Sequence, residues 1–531
     1  MTRIIQSFLA LALLTAGAAL AAKASPQSIP AQPRALPELK AIPAVGNSLD
    51  LTLTLGDNHL RIGADEVSLR TYNGSLIGPT LRVKPGDTLN VRLVNTLECP
   101  PGRDCRCKEG PAAHHEHVAM ERGLLGDQPK ASGFNTTNLH THGLHVSPSG
   151  NSDNVLMSVE PGCGFQFKFQ IPANHPAGTF WYHPHVHGST AVQVSSGAEG
   201  ALIVEGGLDL VPEIKAAQDR ILLFQQIPYK CDFQDPKNWA CKPGQIGRVE
   251  SFDQQFGPGT WQASGRFTTI NGEIQPVITM QPGEVQRWRM IHGGVRETLQ
   301  LGVVGSLNAA PLPGWFNEIA LDGLATGEIT PRTTVELEPG YRDDVLLKAP
   351  PSGGTFYLID EKTPASKSLQ VVAEPRKVLA VIKVQGPSRP MKLPDSAQLA
   401  RFKPFKSITD DEVRGRKIQE VVFNIQDGQF TINGKEFPGD TRVLELGKAD
   451  EWHITTKVAN HPFHIHVNPF EVIETVDGKE RRYWKDTLLV KTGQTVRLRS
   501  RYETFDGAFV LHCHILDHED RGMMQMVEIK K

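Results

Sequence analysis

A chain of 531 residues with a net charge of −2 is long enough for about three domains of ordinary size. The near-neutral balance gives no ground for expecting a nucleic acid or an anionic membrane as partner. Gly (49) and Pro (38) are plentiful, and short alternating stretches recur between them, a composition suited to an all-β protein rich in turns. At the N-terminus, Arg3 precedes an apolar run from Phe8 to about Ala19. Ala-x-Ala sites follow at Ala19-Leu20-Ala21 and Ala22-Lys23-Ala24. Residues 1–24 therefore read as a secretory signal peptide, too short for a transmembrane span, and a periplasmic or secreted location is expected. Residues 25–46 are Pro- and Ala-rich and read as a loose arm.

The remaining chain repeats itself three times. Asn73-Gly74, Asn271-Gly272 and Asn433-Gly434 each lead into a strand, a Gly turn and another strand. A second element recurs as Gly178-Thr179-Phe180-Trp181-Tyr182, Gly354-Thr355-Phe356-Tyr357-Leu358 and Gly507-Ala508-Phe509-Val510-Leu511. Repeats of this length predict three copies of one β-sandwich rather than a solenoid. Their expected bounds are 47–206, 207–375 and 376–531.

Four segments concentrate histidine: Asn138-Leu139-His140-Thr141-His142-Gly143, Trp181-Tyr182-His183-Pro184-His185-Val186-His187-Gly188, His461-Pro462-Phe463-His464-Ile465-His466 and His512-Cys513-His514, the last followed by His518 and Met523. With 19 histidines, random placement would give roughly one His-x-His pair, and six are present. A thiolate, two imidazoles and a thioether form the ligand set of a blue-copper electron-transfer site. Cys513, His518 and Met523 supply three of these, and His461 can supply the fourth. In an extended segment, His512 and His514 point away from the side that Cys513 faces. The cysteine could then pass an electron along two covalent bridges to a second metal centre. The recurring element runs into His183 in the first copy and His512 in the third, but into Ile359-Asp360 in the second. The middle copy is therefore expected to lack metal ligands and to act as a spacer. The second centre should lie between the end copies, so that metal binding staples them together.

These segments resemble the four copper motifs of the multicopper oxidases, the family of laccases, ascorbate oxidase, bilirubin oxidase and bacterial copper-efflux oxidases. The resemblance covers every ligand position and nearly the whole chain after the signal. It implies three cupredoxin-like Greek-key domains and four copper ions. The type 1 ion would take His461, Cys513, His518 and Met523. The type 2 ion would take His140 and His464. One type 3 ion would take His142, His183 and His514, the other His185, His466 and His512. His145 and His187 fall outside the ligand pattern and read as supporting residues. A reducing substrate would give up electrons near His461 or His518. They would pass through Cys513 to His512 and His514, and dioxygen would be reduced to two waters. Glu519 stands where related bacterial enzymes place a proton-relay carboxylate. Asp153 stands near a second such position, with a spacing two residues longer than in some relatives. The axial Met523 implies a low-to-middle potential for this class.

Seven cysteines suit an exported chain. Cys231 and Cys241 are expected to form a local bridge, while Cys99, Cys105, Cys107 and Cys163 allow three pairings. Cys105-x-Cys107 with His114-His115-Glu116-His117 is an alternative metal site in the insertion before the first motif; a disulfide-pinned loop is the reading preferred. No Arg-Arg pair lies in the N-terminal stretch, so general secretion with copper loading after export is expected. Of nine methionines, only Met391 falls in the stretch Gly386–Glu420, although thioethers select Cu(I). The expected donor is therefore a phenol or aromatic amine, as for a laccase, with cuprous-ion or other metal-ion oxidation as the alternative. A periplasmic copper-binding or structural protein is the alternative of another class. The chain is expected to act as a monomer, with dioxygen as acceptor.

Overall fold

Each of the three repeats folds as a pair of facing sheets. The computed structural model describes residues 33–102, 104, 105, 107 and 133–531. The expected signal peptide and His114-His115-Glu116-His117 lie outside the described residues. The strand Thr88–Asn95 shows why these stretches form sheets. Leu89, Val91 and Leu93 are fully buried on one face while Asn90 and Arg92 turn outward, the period-two alternation of a half-buried strand.

The first pair joins two five-stranded sheets around Leu53, Val91, Phe167, Tyr182 and Leu202. The second joins a seven-stranded and a five-stranded sheet around Trp288, Leu301, Leu347 and Leu358. The third joins a six-stranded and a five-stranded sheet around Trp452, Phe463, Leu511, Cys513 and Val527. The topology recurs. Ser48–Ile62 pairs parallel with Thr88–Asn95, Gln218–Gln225 with Val285–His292, and Gln419–Gln426 with Ala449–Thr456. Asn73, Asn271 and Asn433 all sit near φ +54, each followed by a glycine of positive φ, the Asn-Gly geometry of tight hairpins. Each asparagine also accepts, through Oδ1, a backbone N–H from the neighbouring strand, that of Thr54, Leu223 and Val422 respectively.

The recurring second element becomes an inner strand of each five-stranded sheet: Gly178–His183, Gly354–Asp360 and Gly507–Cys513. Its neighbour is His140–His142 in the first copy and His461–Ile465 in the third, but the histidine-free Leu299–Val304 in the second. Equivalent strand pairs in the two end copies therefore carry the histidines. Among the described residues no helix is long and apolar enough to cross a membrane.

Candidate metal centres

Strand register places the donors. Antiparallel pairing sets His140 opposite His183, and His464 opposite His512. Cys513 lies opposite Phe463, and both belong to the core of the third sandwich. His512 precedes Cys513 on the same strand and therefore faces the other way, so one strand feeds two sites.

On the core side, Cys513 Sγ lies 3.3 Å from His461 Nδ1 and 3.9 Å from His518 Nδ1, and the two imidazole nitrogens are 3.3 Å apart. The Ile515 amide donates to the sulfur over 3.4 Å. Met523 is fully buried in the same core, tied by backbone hydrogen bonds to Cys513 and His518. Burial pushes the Cys513 thiol well above its usual range, so a thiolate here requires a cation beside it. His461 Nε2 lies 2.9 Å from the Val458 carbonyl, which places the ring proton there and leaves the Nδ1 lone pair facing the sulfur.

On the opposite side eight imidazoles converge. His185 Nε2 and His466 Nε2 each lie 3.2 Å from His512 Nε2. His514 Nε2 lies 3.3 Å from His142 Nδ1. The buried Nε2 atoms of His140, His183 and His464 have no hydrogen-bond partner. Their Nδ1 atoms are occupied by Asp153, the Pro184 carbonyl and the Asp486 carbonyl respectively. Burial lowers the pKa of these histidines, to about 3 for His183, where the His464 ring adds to the effect, and to about 4 for His464. Neutral rings whose outward nitrogens donate to carbonyls and carboxylates turn lone pairs inward, toward one another. Such an arrangement is repulsive when empty and fits metal cations.

The two acids singled out from sequence both reach this cluster. Asp153 is buried, its oxygens 3.0 and 3.1 Å from His140 Nδ1, and it accepts from the Thr141 amide over 2.9 Å. Burial pushes its pKa up to about 7. Glu519 is fully buried, 3.5 Å from His185 Nδ1 and 3.6 Å from His512 Nδ1, and accepts from the Thr190 hydroxyl over 3.1 Å. Burial raises its pKa, and the adjacent Asp520 adds to the effect. Neither is a solvated surface acid. His145 and His187 stay outside the cluster. His145 bonds the Val467 carbonyl and the Thr504 hydroxyl, and His187 lies against the Phe437 ring.

One expectation needs correction. The middle sandwich is more than a spacer. Its Gly340 (φ +87) lies so close to His514 that an added Cβ would be 2.9 Å from the ring. Its fully buried Arg342 bonds Asp486 with both terminal nitrogens, and also the Thr179 and Asp322 carbonyls. Asp486 lies 3.3 Å from His142 Nε2, and Thr487 Oγ1 lies 3.2 Å from the same atom and 3.1 Å from His464 Nδ1. His461 and His518, near which a donor is expected to give up its electrons, are both buried. Arg296, also from the middle sandwich, covers His518 Nε2 at 2.8 Å. These residues escaped the sequence reading because single arginines and carboxylates far from the motifs carry no spacing signal.

The cysteines pair as Cys99–Cys105, Cys107–Cys163 and Cys231–Cys241, leaving Cys513 free. The alternative metal site at Cys105-x-Cys107 thereby loses both thiolates.

Two sequence models described as Multicopper oxidase match the chain, at residues 133–208 and 412–531. These spans contain all four motifs. A multicopper oxidase of Staphylococcus aureus is 24% identical over 473 residues, covering 87% of this chain and 83% of the relative. A laccase of Bacillus subtilis is 21% identical over 509 residues, covering 86% and 89%. A Campylobacter jejuni multicopper oxidase described as a metallo-oxidase superposes with a TM-score of 0.68 at 23% identity over 94% of this chain and 95% of its own. One from Aquifex aeolicus gives 0.69 at 19% identity over 94% and 99%. Motifs, fold and matches together place the chain in the multicopper oxidase family, built of cupredoxin domains, whose members are copper-dependent oxidoreductases with dioxygen as acceptor.

Proposed function

We propose that the chain is a laccase-like oxidase. It would hold one type 1 copper at His461, Cys513, His518 and Met523, and three ions among the eight other motif histidines, allotted as the resemblance implies. The domains would be 47–206, 207–375 and 376–531, with ligands only in the first and third. The observation that carries the reading is the strand ending at Cys513, whose sulfur belongs to one donor group while the flanking imidazoles belong to the other. Bound copper would supply one-electron oxidation at the first group and four-electron reduction of dioxygen at the second. Four donor oxidations release four electrons and four protons, the number one dioxygen consumes in becoming two waters.

The chain's own residues do the rest. Cys513 joins the two groups through its backbone to His512 and His514. Asp153 and Asp486 fix ring orientation by occupying the outward nitrogens of His140 and His142. Glu519, buried between His185 and His512 with its pKa raised by that burial, suits a proton-delivery role. The scarcity of methionine supports phenols or aromatic amines over Cu(I) as donors. The protein would be an exported monomer.

Oxygen uptake by copper-loaded protein, with copper counted first, tests this. Four ions per chain and faster uptake on a phenol than on Cu(I) are expected. Uptake mainly on Cu(I) would favour metal-ion oxidation, and far fewer bound ions a binding or structural role.

A further inference from the structure

The covering of His518 is built from charged and aromatic side chains of two sandwiches. Arg296 approaches His518 Nε2 with Nη2 at 2.8 Å and pairs through Nη1 with Asp517 Oδ2 at 2.7 Å. Its buried Nε has no partner. The Phe430 ring lies 4.9 Å from the His518 ring. Arg521 stacks its guanidinium 5.5 Å from Phe430 and 5.7 Å from Phe252. Its side chain is 33% exposed, and it pairs with Asp253, which is 92% exposed. Such a pair is weak and readily exchanged.

We propose that Arg521, stacked on the Phe430 ring that packs against His518, selects an anionic aromatic donor, one bearing a carboxylate or phenolate, over a neutral one. This rests on the reading that His518 belongs to the electron-accepting site. The Arg521 guanidinium, exchanging Asp253 for the donor's anionic group, meets the charge, and the phenylalanine faces meet the ring.

The test compares 4-hydroxy-3,5-dimethoxybenzoate with its methyl ester as donors to the copper-loaded protein. Wild type should show the higher kcat/KM on the carboxylate. Arg521→Glu should cut the carboxylate-to-ester ratio about fivefold, in line with reversing a partly exposed charge, and Arg521→Lys should restore most of it. Reversal at the remote Lys448 (Lys448→Glu) should leave the ratio where it was. A second readout needs no turnover: calorimetric titration of the same loaded proteins with 3,5-dimethoxybenzoate, whose affinity should fall in Arg521→Glu and with added salt. An ester preferred by wild type, or a ratio and affinity unmoved by Arg521→Glu, overturns the proposal. If neither donor is oxidised, the laccase reading fails, and the titration alone decides the anion site.

Discussion

Cys513 is a fully buried thiol in an apolar core, 3.3 Å from one imidazole and 3.9 Å from another. Cys513→Ser keeps the shape of the side chain while replacing the soft sulfur donor with a hydroxyl. The expected outcome is loss of the strong blue absorption and of donor oxidation, with thermal stability of the copper-free protein nearly unchanged; a retained blue band would sink the assignment. Glu519 calls for a different experiment. Glu519→Gln preserves shape and the Thr190 contact but removes a transferable proton. Oxygen reduction should slow by about a hundredfold or more with the copper content intact, measured as uptake and as copper per chain. Unchanged turnover would leave Glu519 a structural acid. Cys513 and Glu519 were legible in the sequence because each sits in a dense local motif. Asp486, Arg342 and Arg296 were not, because their meaning arises from contacts more than a hundred residues away along the chain: Arg342 with Asp486, Arg296 with His518.

Strands and turns were legible where local chemistry repeats. The three Asn-Gly turns recur because each needs a left-handed residue whose side chain can take a backbone N–H from the neighbouring strand. The approach of one sandwich to another has no such local signature, and Gly340 illustrates the gap. Its turn joins the end of Thr334–Leu337 to Arg342–Lys348 and presses backbone against His514. In Gly340→Ala the left-handed conformation costs roughly 1–2 kcal/mol, and the new methyl must displace the imidazole. Copper should be lost from the eight-histidine cluster while the blue band persists, a pattern that copper counting with visible absorption separates from general unfolding. Loss of both together would argue that the turn only supports folding. Strand pairing also sets an acid limit. Glu451 holds Arg499 and Arg497 across the pair Ala449–Thr456 and Thr495–Arg501, and these hydrogen bonds depress its pKa from 4.5 to about 2. Its contribution is complete above about pH 4.5 and is lost as pH falls through about 2. Glu451→Gln should flatten stability across that window.

For the molecule as a whole, the dominant electrostatic fact is a set of buried histidines held neutral. His175 accepts the His145 amide at Nε2 and faces the Pro176 carbonyl with Nδ1; His292 accepts the Gly294 amide at Nδ1 and faces the Glu297 carbonyl with Nε2. Each has one acceptor and one donor nitrogen in use, so protonation would break a buried bond, and burial lowers both pKa values from 6.5 to about 4. The motif histidines are lowered too, chiefly by burial. An unfolded chain takes up these protons below about 6.5 and the folded chain does not, so stability falls as pH drops through the window from 6.5 to about 4. Each histidine adds a slope of about 1.4 kcal/mol per pH unit inside that window. Urea midpoints of the copper-free protein should therefore fall steeply between pH 7 and 5; a flat profile would mean the rings are already protonated in the fold. Copper acts on the same nitrogens. Its donors come from the first and third sandwiches, which Arg342 also joins through Thr179 and Asp486. Loading should raise the midpoint at pH 7 by an amount that grows with free copper. That gain should shrink as pH falls, because protons and metal compete for one set of lone pairs.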